Sequence, residues 1–147
     1  MTIRKANYKE TSEILSHSRE VLEEATMGFV TLGIDNSDQI APPFLSDNGY
    51  YLVHIDHDVI HGWIGVEKVV DYYTHETVGI ISEVYVLPPY RGKSIAKKLC
   101  KKAIKHFKEE GHKKVQLNVY SGNHAKYLYQ KLGFQDVSTL MEKPLDL

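Results

Sequence analysis

A hydrophobic run from Val78 to Leu87 stops at Pro88-Pro89, and an amphipathic run begins at Ile95. Neither proline can donate to a ladder, so a strand over Val78–Leu87 has to end there. Ile95, Ala96, Leu99, Cys100, Ala103, Ile104 and Phe107 recur at helical spacing, and Gly111 is a fitting stop. Between the two lies Tyr90-Arg91-Gly92-Lys93-Ser94. A strand that turns this directly into a helix leaves backbone N–H groups unpaired at the helix start. Together with the positive end of the helix dipole, they make a site for phosphate.

The rest of the chain falls into order around this junction. Thr2–Ala6 reads as a short strand, and Glu10–Ala25 as one helix with Ile14, Leu15, Ser18, Val21, Leu22 and Ala25 on a face. Residues 28–48 are irregular, with Asp35-Asn36-Ser37-Asp38 and Pro42-Pro43. Tyr50–Ile55 and Val59–Val70 form a hairpin about Asp56-His57-Asp58. Val115–Val119 is a strand after the central helix. Ser121 to Asn123 can cap a further helix with Ala125, Leu128, Tyr129 and Leu132 inward. Gly133 ends that helix, and Ser138–Leu145 reads as a last strand. The order β-α-(loop)-β-β-β-α-β-α-β describes an α/β (α+β) domain, a mixed sheet with helices on its faces. At 147 residues, the chain suits one domain spanning 1–147.

Charge is divided along the chain. Residues 1–90 hold five Lys/Arg and fourteen Asp/Glu, whereas residues 91–147 hold thirteen and five. Ten of the basic residues lie between Arg91 and Lys114. This is either a solvated lysine-rich helix face or a half that takes a polyanion, with the acidic half drawing a cation. No run is long and apolar enough to span a bilayer, and the N-terminus has no signal-peptide core, which fits a cytoplasmic protein away from membranes. The single cysteine, Cys100, forms no internal disulfide and reads as a small buried hydrophobe. His54, His57 and His61 are not spaced as a ligand set, so no metal is expected. The sequence pI near 6.7 and the lack of a reader module argue against nucleic acid. Trp63 and the pairs Tyr50-Tyr51 and Tyr72-Tyr73 are most simply packing residues.

A second marked run, Asn123-His124-Ala125-Lys126-Tyr127-Leu128-Tyr129-Gln130-Lys131-Leu132-Gly133-Phe134, lies thirty residues beyond the first. With both runs in view, the chain resembles the GNAT family of acetyl-CoA-dependent N-acetyltransferases over essentially its whole length. The resemblance is sharpest in Glu83–Ala96 and Asn118–Phe134. The family's Arg/Gln-x-x-Gly-x-Gly/Ala signature reads Arg91-Gly92-Lys93-Ser94-Ile95-Ala96, with Ser94 where glycine is usual. Serine there costs something if the backbone needs a positive φ, although its hydroxyl could donate to phosphate or cap the helix.

The resemblance implies a GNAT-like, mostly antiparallel central sheet and acetyl-CoA as cosubstrate, with no metal. It implies that the backbone of Arg91, Gly92, Lys93, Ser94, Ile95 and Ala96 holds the CoA pyrophosphate. Val84, Tyr85 and Val86 would pair with the pantetheine arm, Asn123 would contact it, and Tyr129 would be the acid that meets the departing thiolate. An N–H near Val86 would serve the oxyanion. Glu83, in an apolar run on the same strand, is the candidate general base; strand alternation groups it with Gly79, Ile81 and Tyr85. The acceptor would be a small-molecule or peptide amine, cationic by the charge argument. A non-catalytic acyl-CoA sensor is the alternative function, and a homodimer is an admissible state.

Overall fold

The computed structural model of the chain describes residues 1–28 and 48–146. The expectations for Asp35–Asp38 and Pro42-Pro43 lie outside these. The described elements are β1 (Thr2–Lys5), α1 (Tyr8–Leu15), α2 (Ser18–Ala25), β2 (Tyr50–Asp56), β3 (Val59–Val70) and β4 (Thr77–Val86). After a 3-10 turn at Pro88–Tyr90 come α3 (Ile95–Glu109), β5 (Val115–Leu117) and α4 (Ala125–Lys131). The sheet runs β1-β2-β3-β4-β5 in space, antiparallel except for the last pair.

Two cores form, one on each face of the sheet. Ile14 and Val21 of α1 and α2 pack on Tyr51, Val53, Ile55, Ile60, Trp63 and Tyr85. On the other face Ile95, Leu99, Cys100, Ala103 and Phe107 of α3 pack on Leu52, Ile64, Val66 and Ile81. The helical stripe read from sequence is therefore the buried one. Gly79 lets α3 approach, since a Cβ there would lie 2.7 Å from the Phe107 ring.

Four sequence expectations are corrected. The first helix is two helices, broken at Ser16-His17. Ser16 Oγ donates to the Glu13 carbonyl and Ser18 Oγ to that of Leu15, so side chains compete with the helical ladder where the chain turns. The first of the two starts earlier than read, at Tyr8, because Asn7 and Glu10 form a capping box. β5 stops at Leu117 rather than Val119. The strand expected over Ser138–Leu145 does not form, and residues 135–146 are exposed, Leu140 at 96%. A strand needs a ladder partner, and no described segment pairs with this one.

A fifth correction concerns which side chains share a face. Gly65 pairs with Glu83 and Val66 with Ile81, so Ser82 is an extra residue on β4, a bulge. It inverts the alternation. Ile81 points to the α3 core, whereas Tyr85 belongs to the α1–α2 core and Glu83 lies with it. The sequence grouping of Gly79, Ile81, Glu83 and Tyr85 on one face is thus split in two.

Candidate active site

β5 follows β4 only as far as Ile81, its partner being Leu117. Beyond the Ser82 bulge, β4 continues alone on that side to Val86. The antiparallel ladder with β3 continues past it, with the Leu87 N–H bonded to the His61 carbonyl at 2.9 Å. The alternation of that ladder turns the backbone groups of Val84 and Val86 away from β3, toward the side β5 has left. Arg91 Nε, which donates to the Val86 carbonyl at 2.8 Å, marks that direction.

A groove of about 600 Å³ opens at the parting. Val84, Tyr85 and Val86 form its floor; Tyr90, Arg91, Gly92, Ser94, Ile95, Ala96 and Lys97 form one end; Ala125, Leu128, Tyr129 and Lys131 form the α4 side; and Glu24 of α2 closes the rim. Nine of the twelve residues singled out from sequence, Tyr129 among them, are therefore brought together here. Lys93 and Asn123 are not lining residues. Asn123 instead ties α4 to α2, donating from Nδ2 to the Ala25 carbonyl at 3.1 Å and accepting from the Ala125 N–H at 2.9 Å. Glu83 points to the opposite face of β4 from Val84.

The end of the groove is the start of α3. Gly92 has φ +84° and Ser94 φ +61°, so two left-handed residues make the turn. Ser94 is the residue just before the helix, and its side chain makes no capping bond, which corrects the capping option. The first ladder bond of α3 is Lys98 N–H to the Ser94 carbonyl at 3.1 Å. The amides of Ile95, Ala96 and Lys97 thus have no backbone acceptor among the described residues. No acidic side chain sits in that first turn. The stack of Tyr90 on His61, centroids 3.7 Å apart, anchors the turn to β3.

Tyr129 packs against the α3 core, edge-on to Phe134 at 6.0 Å. Burial, with a smaller contribution from Cys100, pushes its phenol up to about 12. Burial alone pushes the Cys100 thiol up to about 12, so this cysteine is an inert core residue. Glu83 is held above the usual carboxylate range by burial, against a hydrogen bond from Trp63 Nε1 to its Oε2 at 2.6 Å. That partner was read from sequence as packing only. The missed signal was the hairpin register. Trp63 opposes Tyr85, which sets it diagonal to Glu83 on the same face.

Arg91 departs from a simple phosphate role. Its guanidinium reaches Glu24 at 2.8 Å and lies over the Tyr85 ring, 5.2 Å from the centroid. Among the described residues no group of three or more His, Cys, Asp or Glu could hold a metal ion, and no helix is long and apolar enough to cross a membrane.

The fold is that of solved acetyltransferases. A sequence model described as the acetyltransferase (GNAT) family matches residues 10–134, and the chain belongs to that family. A relative from Haemophilus influenzae, the ribosomal protein bS18-alanine N-acetyltransferase, is 32% identical over 83 residues, 56% of this chain and 53% of that one. The match thus spans about half the length of that curated relative. A putative acetyl transferase from Pyrococcus furiosus has the same fold, with a TM-score of 0.83 at 24% identity over 98% of this chain and 99% of that one. A predicted acetyltransferase from Clostridium acetobutylicum, solved with acetyl-CoA, gives 0.74 at 22% identity over 98% and 96%.

Proposed function

We propose that the protein transfers an acetyl group from acetyl-CoA to a primary amine by direct attack while both are bound. The observation that carries this reading is the groove where β4 leaves β5, with free helix amides at one end and Tyr129 at the side. The donor set fits the cosubstrate. Three unpaired amides and the dipole of a 15-residue helix suit a pyrophosphate, and Lys93, Lys97 and Lys98 supply countercharge. The backbone of Val84 and Val86 suits the amides of an extended pantetheine arm, as an added strand would pair.

Acetyl-CoA supplies a thioester whose carbonyl carbon an amine can attack. The chain's own residues do the rest. Glu83 takes the proton that the incoming ammonium must lose, an alkyl amine having a pKa near ~10.4. Its raised pKa suits that work at neutral pH. The Val86 N–H, turned toward the groove, serves the developing oxyanion. Tyr129 meets the sulfur. With its phenol near 12 and a thiol near ~8.5, outright proton transfer to a thiolate is uphill. Tyr129 therefore works first as a hydrogen-bond donor to the leaving sulfur. Because Glu83 and Val84 lie on opposite faces of β4, the amine reaches the thioester from the α1–α2 side. Glu20, Glu23 and Glu24 of α2 make that side acidic, which favours a cationic acceptor such as a small polyamine, an aminoglycoside-like compound or a protein amino group.

The test is release of free thiol from acetyl-CoA across a panel of cationic and neutral amines. Amine-dependent release that favours cationic acceptors supports the reading. Tight CoA binding without turnover on any amine would overturn it in favour of an acyl-CoA sensor.

A further inference from the structure

We infer that Trp63 is a positioning residue for Glu83: its indole N–H pins one carboxylate oxygen and leaves the other turned to the incoming amine. This rests on Glu83 acting as the base. Trp63 is 1% exposed and cannot swing away, being packed against Tyr85 at 5.2 Å and His17 at 5.6 Å between ring centroids. Its donor reaches Oε2 at 2.6 Å, and Oε1 has no hydrogen-bond partner among the described residues. The site is shaped to allow this. Gly65 faces Glu83 across the sheet, and a Cβ there would lie 2.6 Å from Ser82 Oγ and 3.4 Å from the Tyr51 ring. The Ser82 bulge swings Glu83 onto the Trp63 face, and the missing side chain at Gly65 leaves room for the Ser82 hydroxyl that the bulge places there.

A single buried donor on one oxygen does two things. It fixes the rotamer, so the free oxygen has one direction. It also favours the charged form, opposing the burial that disfavours it. Removing the N–H while keeping the ring should therefore raise the pH at which Glu83 becomes competent and lower the rate at saturation, leaving acceptor KM nearly unchanged.

Trp63 is the chain's one tryptophan, so its emission reports the carboxylate directly and biosynthetic replacement touches no other site. The groups that face this pair are Tyr51 of β2, Tyr85 of β4, and His17 before α2, which itself pairs with Glu20 at 3.1 Å. Burial raises both tyrosines and Glu83 above their ordinary values, and His17→Asn is the control for the imidazole that packs on Trp63. The experiment follows Trp63 fluorescence against pH in the wild type, Glu83→Gln and His17→Asn. In parallel, kcat and the acid limb of kcat/KM, which reports the free enzyme, are measured for Glu83→Gln, Trp63→Phe and protein carrying a benzothienyl isostere of tryptophan.

The expected result is an emission transition retained in His17→Asn, lost in Glu83→Gln, and coincident with the acid limb. The isostere should move the limb to higher pH and lower kcat by about ten- to a hundredfold. The isostere has the size of the indole, so loss of folding in Trp63→Phe does not block the test. If Glu83→Gln leaves the acid limb where it was, the base reading falls, and this inference with it. If Glu83→Gln moves the limb but the isostere leaves limb and kcat unchanged, Trp63 is packing alone and the base reading stands.

Discussion

Arg91 is bound to Glu24 at 2.8 Å across the rim of the groove, while its Nε holds the Val86 carbonyl. One side chain thus occupies a backbone acceptor that a pantetheine arm would use, and it links the turn before α3 to α2. On the proposed reading, a CoA molecule bound in this groove would compete with these contacts.

Glu24→Gln is therefore expected to tighten CoA binding. It frees Arg91 and removes a negative charge beside the phosphate site. Both partners are about half exposed, so the gain is modest, about two- to fivefold in Kd at low salt. Calorimetric titration with CoA measures it, and an unchanged or weakened Kd would show that Arg91 does not compete.

Tyr129→Phe keeps the buried ring and removes one hydroxyl. Because that hydroxyl has no hydrogen-bond partner among the described residues, folding should hold, and Tm should stay close to the wild type. The rate at saturation should fall about 10²-fold, with little change in KM, as expected for a donor needed mainly in the transition state. A kcat within twofold of the wild type would remove Tyr129 from the chemistry.

Glu83→Gln should make the protein more stable as it makes it slower. The folded-state pKa of Glu83 is raised, chiefly by burial, so its ionised form weakens the fold once pH passes the unfolded value of about 4.3. Glutamine carries no charge and can still accept from Trp63. Tm measured from pH 4 to 8 should show a gain that grows with pH and is smallest at pH 4. A gain independent of pH would mean that the ionised carboxylate is not what weakens the fold.

Ser94→Gly replaces an L-residue held at φ +61° with the residue that adopts this region freely. Relief of about 1 kcal/mol is expected from chemical denaturation. CoA affinity should fall if the serine hydroxyl donates to phosphate and stay level if only the backbone does. Destabilisation would mean that Ser94 makes a contact worth more than its strain.

The strand–turn–helix junction was legible because each part is local. Pro88-Pro89 stop a strand wherever they occur, and the stripe from Ile95 to Phe107 buries one face of any helix it forms. Arg91–Ala96 and Tyr129 carry spacing that a family resemblance could read, and the groove gathers them. Ser138–Leu145 shows the limit of pattern: its strand-like sequence finds no ladder partner among the described residues.

The sequence by itself determined most of the order of elements, the buried stripe of α3 and the place of the strand–turn–helix junction, since periodicity and turn chemistry act within a few residues. Only the tertiary structure decided where Glu83 points and what holds it. One extra residue at Ser82 reverses every side chain after it. That bulge is defined by the pairing of β4 with β3, a relation between residues that are distant along the chain. The same pairing brings Trp63 to Glu83, a contact that no local spacing encodes.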